Sequence, residues 1–234
     1  MEDTIIFNFI ERSHFPTCPT VYEVNNKELN IPNFDGSFLD WAHVQLEIAH
    51  SQLRRFESPD ENPFFPDKLL KPILPRLEYP PVLDPVASNI NYNSKIKNIY
   101  IEHIIPLVSK YVGDQPENYG SVATRDIDCL QSLSRRIHFG KFVAEAKFQS
   151  NIPLYTELIK NKDIAGITEN ITNSAVEEKI LERLTKKAEV YGVDPTTNSN
   201  ETKITPEYLV KIYKEFVIPI TKEVEIDYLL RRLN

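Results

Sequence analysis

Three stretches of this chain carry an apolar helical stripe that turns polar partway along. Taking every third or fourth residue from Cys129 gives Cys129, Leu133, Arg136, Gly140, Val143 and Lys147 on one face. The two cations would lie roughly 16 Å apart at 1.5 Å of rise per residue. Both side chains are long enough to lean toward one small ligand, and Gly140 between them leaves room for its approach. A second stripe, Asn173, Glu177, Ile180, Leu184 and Ala188, places an amide and a carboxyl where more core is expected. A third runs through Val217, Thr221, Val224 and Tyr228, with Glu225 beside it. If these faces converge, they enclose a small cavity with two cations, two carboxyls, an amide and a hydroxyl. Such a cavity suits a small anion and catalysis by electrostatic positioning. From the pattern alone, an interhelical ion-pair network, with Arg136 or Lys147 answering Glu177 or Glu225, is the more economical reading.

Other chemistries are poorly supported. No His, Ser-His pair or Cys-His pair falls on these faces. Gly is scarce, at 6 of 234 residues, and no phosphate-binding glycine motif occurs. Cys18 and Cys129 form no C-x-x-C, so no metal site is expected. The 27 basic against 34 acidic residues, a net of -7, argue against nucleic acid as a partner. No apolar run reaches the roughly 18 residues needed to span a membrane. A cytoplasmic protein with reduced thiols is the expectation.

The elements that must position these residues read as helices. Glu2–Phe15, Ser37–Phe56, Ile96–Lys110, the long run 121–152, Asn173–Tyr191 and Pro206–Leu233 all have helical apolar spacing. Ser37-x-x-Asp40 forms a capping box, Gly192 is placed to end a helix, and Thr205-Pro206 to start one. Pro219 is expected to kink the last helix. Eight of the 17 prolines lie between Pro59 and Pro85, so 57–95 reads as an excursion with only short helical turns. The polar segment 194–203 reads as a mobile loop. Without period-2 strands, the expectation is an all-α fold: residues 1–234 as a single domain of long packed helices.

At this point the run 120–148, GSVATRDIDCLQSLSRRIHFGKFVAEAKF, is informative, as are 171–194 and 204–233. All three resemble the regulated chorismate mutases of fungi and plants. Glu2–Phe7 and Ser37–Trp41 extend the likeness over nearly the whole chain. The resemblance implies an all-helical homodimer that rearranges chorismate to prephenate without a cofactor, with tyrosine inhibiting and tryptophan activating. By position, it makes Arg136, Lys147 and Glu225 catalytic. Arg136 would pair with a substrate carboxylate. Lys147 would contact a carboxylate and the ether oxygen, and Glu225 would meet that ether oxygen as a protonated donor. Asn173 and Glu177 would hold a carboxylate and the ring hydroxyl, Val143 would line the site, and Thr221 would support Glu225. It also implies an effector site at the dimer interface, built from Arg54, Arg55, Asn118, Gly120, Ser121 and Thr124. Read without the resemblance, the arginines complement a helix C-terminus, and Ser121 or Thr124 is a helix cap.

The resemblance further implies a first helix that begins upstream of Glu2 and supplies another arginine about two turns earlier. The sequence begins at Met1, so that arginine is expected in a preceding segment. The 234-residue chain is then expected to fold and dimerise but to turn over slowly. The competing expectation is a catalytically impaired helical protein of the same fold that serves in effector binding or interaction.

Overall fold

A computed structural model describes residues 1–29, 31–191 and 204–233. Gly192 and the expected loop 194–203 lie outside the described residues. Among those described, there are helices and connecting turns and no strand.

The helices that matter most are α1 (Glu2–Ser13), α2 (Phe38–Gln52), α5 (Tyr119–His138) and α6 (Gly140–Ser150). To these are added α7 (Ile152–Lys160), α8 (Ile164–Ile171), α9 (Ser174–Tyr191), α10 (Pro206–Ile212) and α11 (Ile218–Arg231). Between α2 and α5 run α3 (Asn93–Ile99) and α4 (Ile105–Val108). The core is one continuous cluster to which α1, α5, α9 and α11 all contribute, with Ile5, Phe9, Leu130, Leu184 and Val224 buried. Helix α11 lies along α6, α1 along α5, and α9 against α10 and α1.

Local chemistry explains most boundaries. The Ser37 hydroxyl accepts from the Asp40 amide at 3.1 Å and donates to the Asp40 carboxylate at 2.9 Å, so the capping box opens α2 as expected. The expected helix 121–152 is two helices, α5 and α6, interrupted at Phe139, whose amide still bonds Arg135 O while both Phe142 and Val143 bond Phe139 O. Two helices were not anticipated. Helix α7 starts at Asn151, whose side chain accepts from Leu154 N, with Pro153 in its first turn. Helix α8 starts at Asp163, which accepts from Gly166 N.

The last helix is interrupted as Pro219 requires, through a π-turn over Tyr213–Val217 rather than a simple kink. A proline lacks an N–H and crowds the preceding turn, and the wider π-turn takes up the misfit. The same device, Tyr100–Ile104, precedes Pro106. Thr205 sits at the N-cap of α10 without a side-chain cap bond, so Pro206 alone marks that start.

The excursion 57–95 has only 3-10 turns, at Pro66–Lys68 and Pro85–Asn89, before α3 begins at Asn93. It is tied down by buried polar groups. The Glu47 carboxylate accepts from Phe64 N and Phe65 N at 2.7 and 2.8 Å, and Asn93 Nδ2 donates to Asn62 O and Pro63 O. Lys141 on α6 donates to Asn62 Oδ1 at 2.8 Å and Ala87 O at 3.0 Å. No described helix is long and apolar enough to cross a membrane.

Candidate active site

The three polar stripes do converge. Helices α5, α6, α8, α9 and α11 enclose a cavity of about 300 Å³ whose polar lining is Arg136, Lys147, Asn173, Glu177, Thr221, Lys222 and Glu225. Val143 and Ile180 supply part of its apolar wall. Every substrate and catalytic residue expected from the sequence lines this one space.

The charges inside are not arranged as an ion-pair network of the expected kind. Arg136 makes no hydrogen bond or ion pair with any described residue. Lys147 Nζ donates to Asn170 O at 3.1 Å, in the last turn of α8, and meets no carboxylate. Glu177 pairs with Lys222 at 2.8 Å, a residue that the sequence reading passed over. Lys222 lies three residues before Glu225 on α11, and that spacing was the available signal.

Glu225 is the unusual group. It is 7 % exposed, and its Oε2 is buried with no hydrogen-bond partner. Burial pushes its pKa from 4.5 up to about 7, against the opposing pull of Lys147, Arg136 and Lys222. A carboxyl in this state carries a proton near neutrality, so it can donate a hydrogen bond into the cavity.

The Thr221 hydroxyl donates to Val217 O at 2.7 Å, inside its own helix, so its proton is not directed at Glu225. One expectation needs correction. Gly140 does not line the cavity. A Cβ there would meet Thr221 O at 2.9 Å and Glu225 Cγ at 3.3 Å. Its missing side chain therefore admits the backbone of α11, not the ligand, and so sets where Glu225 stands relative to α6. Asn173 has a structural duty as well: its Oδ1 accepts from Val176 N at 3.1 Å and caps α9.

The residues expected to bind an effector do not meet within one chain. Arg54, just past the end of α2 at φ 68°, donates to Pro75 O. Arg55 pairs with Glu61 at 3.3 Å and lines a second cavity with Met1, Asn8 and Arg135. Arg135 there is matched by Asp60 at 2.5 Å. Gly120, Ser121 and Thr124 line a separate depression beside Glu11 and His14. Helix α5 starts at Tyr119, before both expected caps, and Asn118 at its N-cap makes no side-chain cap bond. The Thr124 hydroxyl instead donates back to Gly120 O at 2.9 Å.

A cavity in which neither Arg136 nor Lys147 meets a carboxylate of the described residues, beside a buried carboxyl of raised pKa, fits rearrangement of a small dianion. The chain is 76% identical over 234 residues to a chorismate mutase of Saccharomyces cerevisiae, covering all of this chain and 91% of that one. The chain belongs to the chorismate mutase family. Residues 118–226 match the model for chorismate mutase type II. A chorismate mutase of Pichia angusta is 57% identical over 237 residues, covering all of this chain and 84% of that one. A solved chorismate mutase from Candida albicans, in complex with L-Trp, superposes with a TM-score of 0.95 at 61% identity, covering 99% of this chain and 87% of that one. A further solved chorismate mutase has tyrosine bound in its allosteric site. It superposes with a TM-score of 0.89 at 41% identity, covering all of this chain and 92% of that one. The protein is thus an isomerase, and this level of identity to a mutase goes against the competing reading of a catalytically impaired protein of the same fold.

Proposed function

We propose that the α5–α6–α9–α11 cavity converts chorismate to prephenate, with Arg136, Lys147 and Glu225 as its catalytic residues. The observation that carries this is Glu225: a buried carboxyl with an orphaned oxygen and a pKa raised to about 7, facing Lys147. In the rearrangement an ether C–O bond breaks while a C–C bond forms. Negative charge gathers on the ether oxygen in the transition state. Protonated Glu225 and Lys147 Nζ donate to that oxygen together. Arg136, which has no partner among the described residues, takes a substrate carboxylate through its two-pronged guanidinium. Asn173 and Glu177 hold a carboxylate and the ring hydroxyl, and Val143 packs against the ring. The donors are positioned before substrate arrives, so little reorganisation is needed during the bond change. No cofactor enters this scheme.

The protein works as a homodimer regulated by tyrosine and tryptophan. Support comes from the tyrosine- and tryptophan-bound relatives, and from the separation of Arg54 and Arg55 from the Gly120–Thr124 helix start. A second subunit would bring one group against the other to complete an effector site. A helix start without a side-chain cap suits the effector carboxylate. A cytoplasmic location accords with two free, buried thiols.

The test is the loss of chorismate absorbance on adding protein, with Arg136→Ala and Lys147→Ala as controls. An intact rate in both variants would place the chemistry elsewhere. For regulation, Arg54→Ala and Ser121→Ala should weaken the response to tyrosine without changing the unregulated rate.

A further inference from the structure

Lys222 is a third cation in the cavity, and no role has been given to it. Its Nζ meets Glu177 Oε1 at 2.8 Å, with both side chains about one quarter exposed. The pair joins α11 to α9 across the cavity, while α9 otherwise packs on α10 and α1. Charge counting gives the pair a purpose. Arg136, Lys147 and Lys222 contribute three positive charges and Glu177 one negative, with Glu225 neutral when protonated. Among these residues the surplus is two positive charges, as many as a dianion carries negative, before any arginine from a preceding segment is added. If Lys222 were neutral, the surplus would fall to one, and the Glu177 carboxylate would face the incoming substrate unscreened.

We propose that Lys222 is a positioning residue for the mutase reaction: it holds the Glu177 carboxylate against α11, oriented for the substrate's hydroxyl, and cancels its repulsion of the substrate carboxylates. This rests on the cavity being the mutase site. Glu177, an acceptor only, can hold a hydroxyl with one oxygen while the other stays on Lys222. The groups facing Glu225 come from five helices: Arg136 from α5, Lys147 from α6, Tyr155 from α7, Glu177 from α9 and Lys222 from α11 itself. Lys222 and Glu177 act on it in opposite senses. Removing the lysine therefore favours the protonated form twice, by losing a cation and by unscreening an anion.

The experiment uses the full-length protein and four variants: Lys222→Met, Lys222→Arg, Glu177→Gln and the Lys222→Met/Glu177→Gln pair. Steady-state rates on chorismate are measured across pH, with Arg136→Ala and Lys147→Ala alongside. Lys222→Met should raise KM about tenfold, the equivalent of losing one well-placed charge, with kcat changed much less. It should also move the alkaline limb of the rate profile to higher pH. Lys222→Arg should restore both. In the Glu177→Gln background, Lys222→Met should change KM far less than it does alone. The proposal is overturned if Lys222→Met leaves KM and the limb unchanged, or if its effect on KM is undiminished beside Glu177→Gln. If Arg136→Ala and Lys147→Ala stay fully active, the cavity is not the mutase site and the proposal falls with it. If they are impaired while Lys222→Met is silent, only the role given to Lys222 fails.

Discussion

Asp126 and Glu225 are both buried carboxyls on core helices, and both have arginine or lysine nearby, yet they are opposites. Asp126 is fully buried and saturated. It accepts from Arg12 Nε at 2.5 Å and from the hydroxyls of Tyr22 and Tyr100 at 2.7 Å each. Arg12 spends its remaining donors on Phe15 O, Thr17 O, Ser109 Oγ and Tyr22 Oη. Nothing in that cluster is left to bind a ligand. Around Glu225 the accounts are open: one oxygen has no partner, Arg136 is uncommitted, and Lys147 rests on a backbone carbonyl. Closing every donor and acceptor fixes a fold, whereas leaving chosen ones open at a cavity wall stores binding capacity at a cost in stability.

Breaking the closed cluster should have the largest effect. Arg12→Met leaves Asp126 buried without its cation, held only by the Tyr22 and Tyr100 hydroxyls, and it should lower stability by about 3–5 kcal/mol in urea unfolding. The rate per folded molecule should change little. A large catalytic loss without unfolding would mean that the two regions are coupled.

Breaking the open site should do the reverse. Lys147→Ala should slow turnover by about 10²–10³-fold, or about 2.7–4 kcal/mol of barrier, with the unfolding midpoint nearly unchanged. Marked destabilisation would mean that Lys147 is structural.

The cost of the open site should be visible in pH. Below pH 4.5 Glu225 is protonated whether folded or not. Between 4.5 and about 7 the unfolded chain loses that proton while the folded one keeps it, so stability falls as pH rises; above 7 the whole penalty stands. Glu225→Gln removes this titration. It should match the parent protein near pH 4.5 and exceed it at pH 8.5, by no more than about 3.5 kcal/mol. The same variant keeps a neutral donor, so its rate should lose the decline through pH 7. A parallel pH dependence in both proteins would show that Glu225 is not the titrating group.

The smallest effect expected is at the contact that joins the helices. Gly140→Ala forces a methyl against Thr221 O, and should cost about 1–3 kcal/mol of stability. It should also slow turnover by displacing Glu225. Loss of stability with full activity would show that this contact does not set the catalytic geometry.

Reading the sequence went far here because helices report their own faces. A 3.6-residue period is local, and it distinguished Arg136 from its neighbour Arg135, which turns outward to Asp60. Likewise Lys147 was separated from Lys141, which is buried against Asn62 and Ala87 and has its pKa lowered to about 8 by that burial. The short helices α7 and α8 were missed although Asn151 and Asp163 mark their starts, because nine and eight residues give a weak periodic signal. The break at Phe139 has no equally plain marker, since the adjacent Gly140 read as an open place on a continuous helix.

By itself, then, the sequence determined which residues share a face, and so which could enter one cavity, since that follows from backbone geometry within each segment. Only the tertiary structure decided what those residues are in that cavity. Glu177 pairs with Lys222 rather than Arg136, Gly140 serves a helix crossing, and Glu225 holds its proton to about pH 7. Ion pairing and desolvation depend on which distant segments close around a group, and no local period encodes that distance.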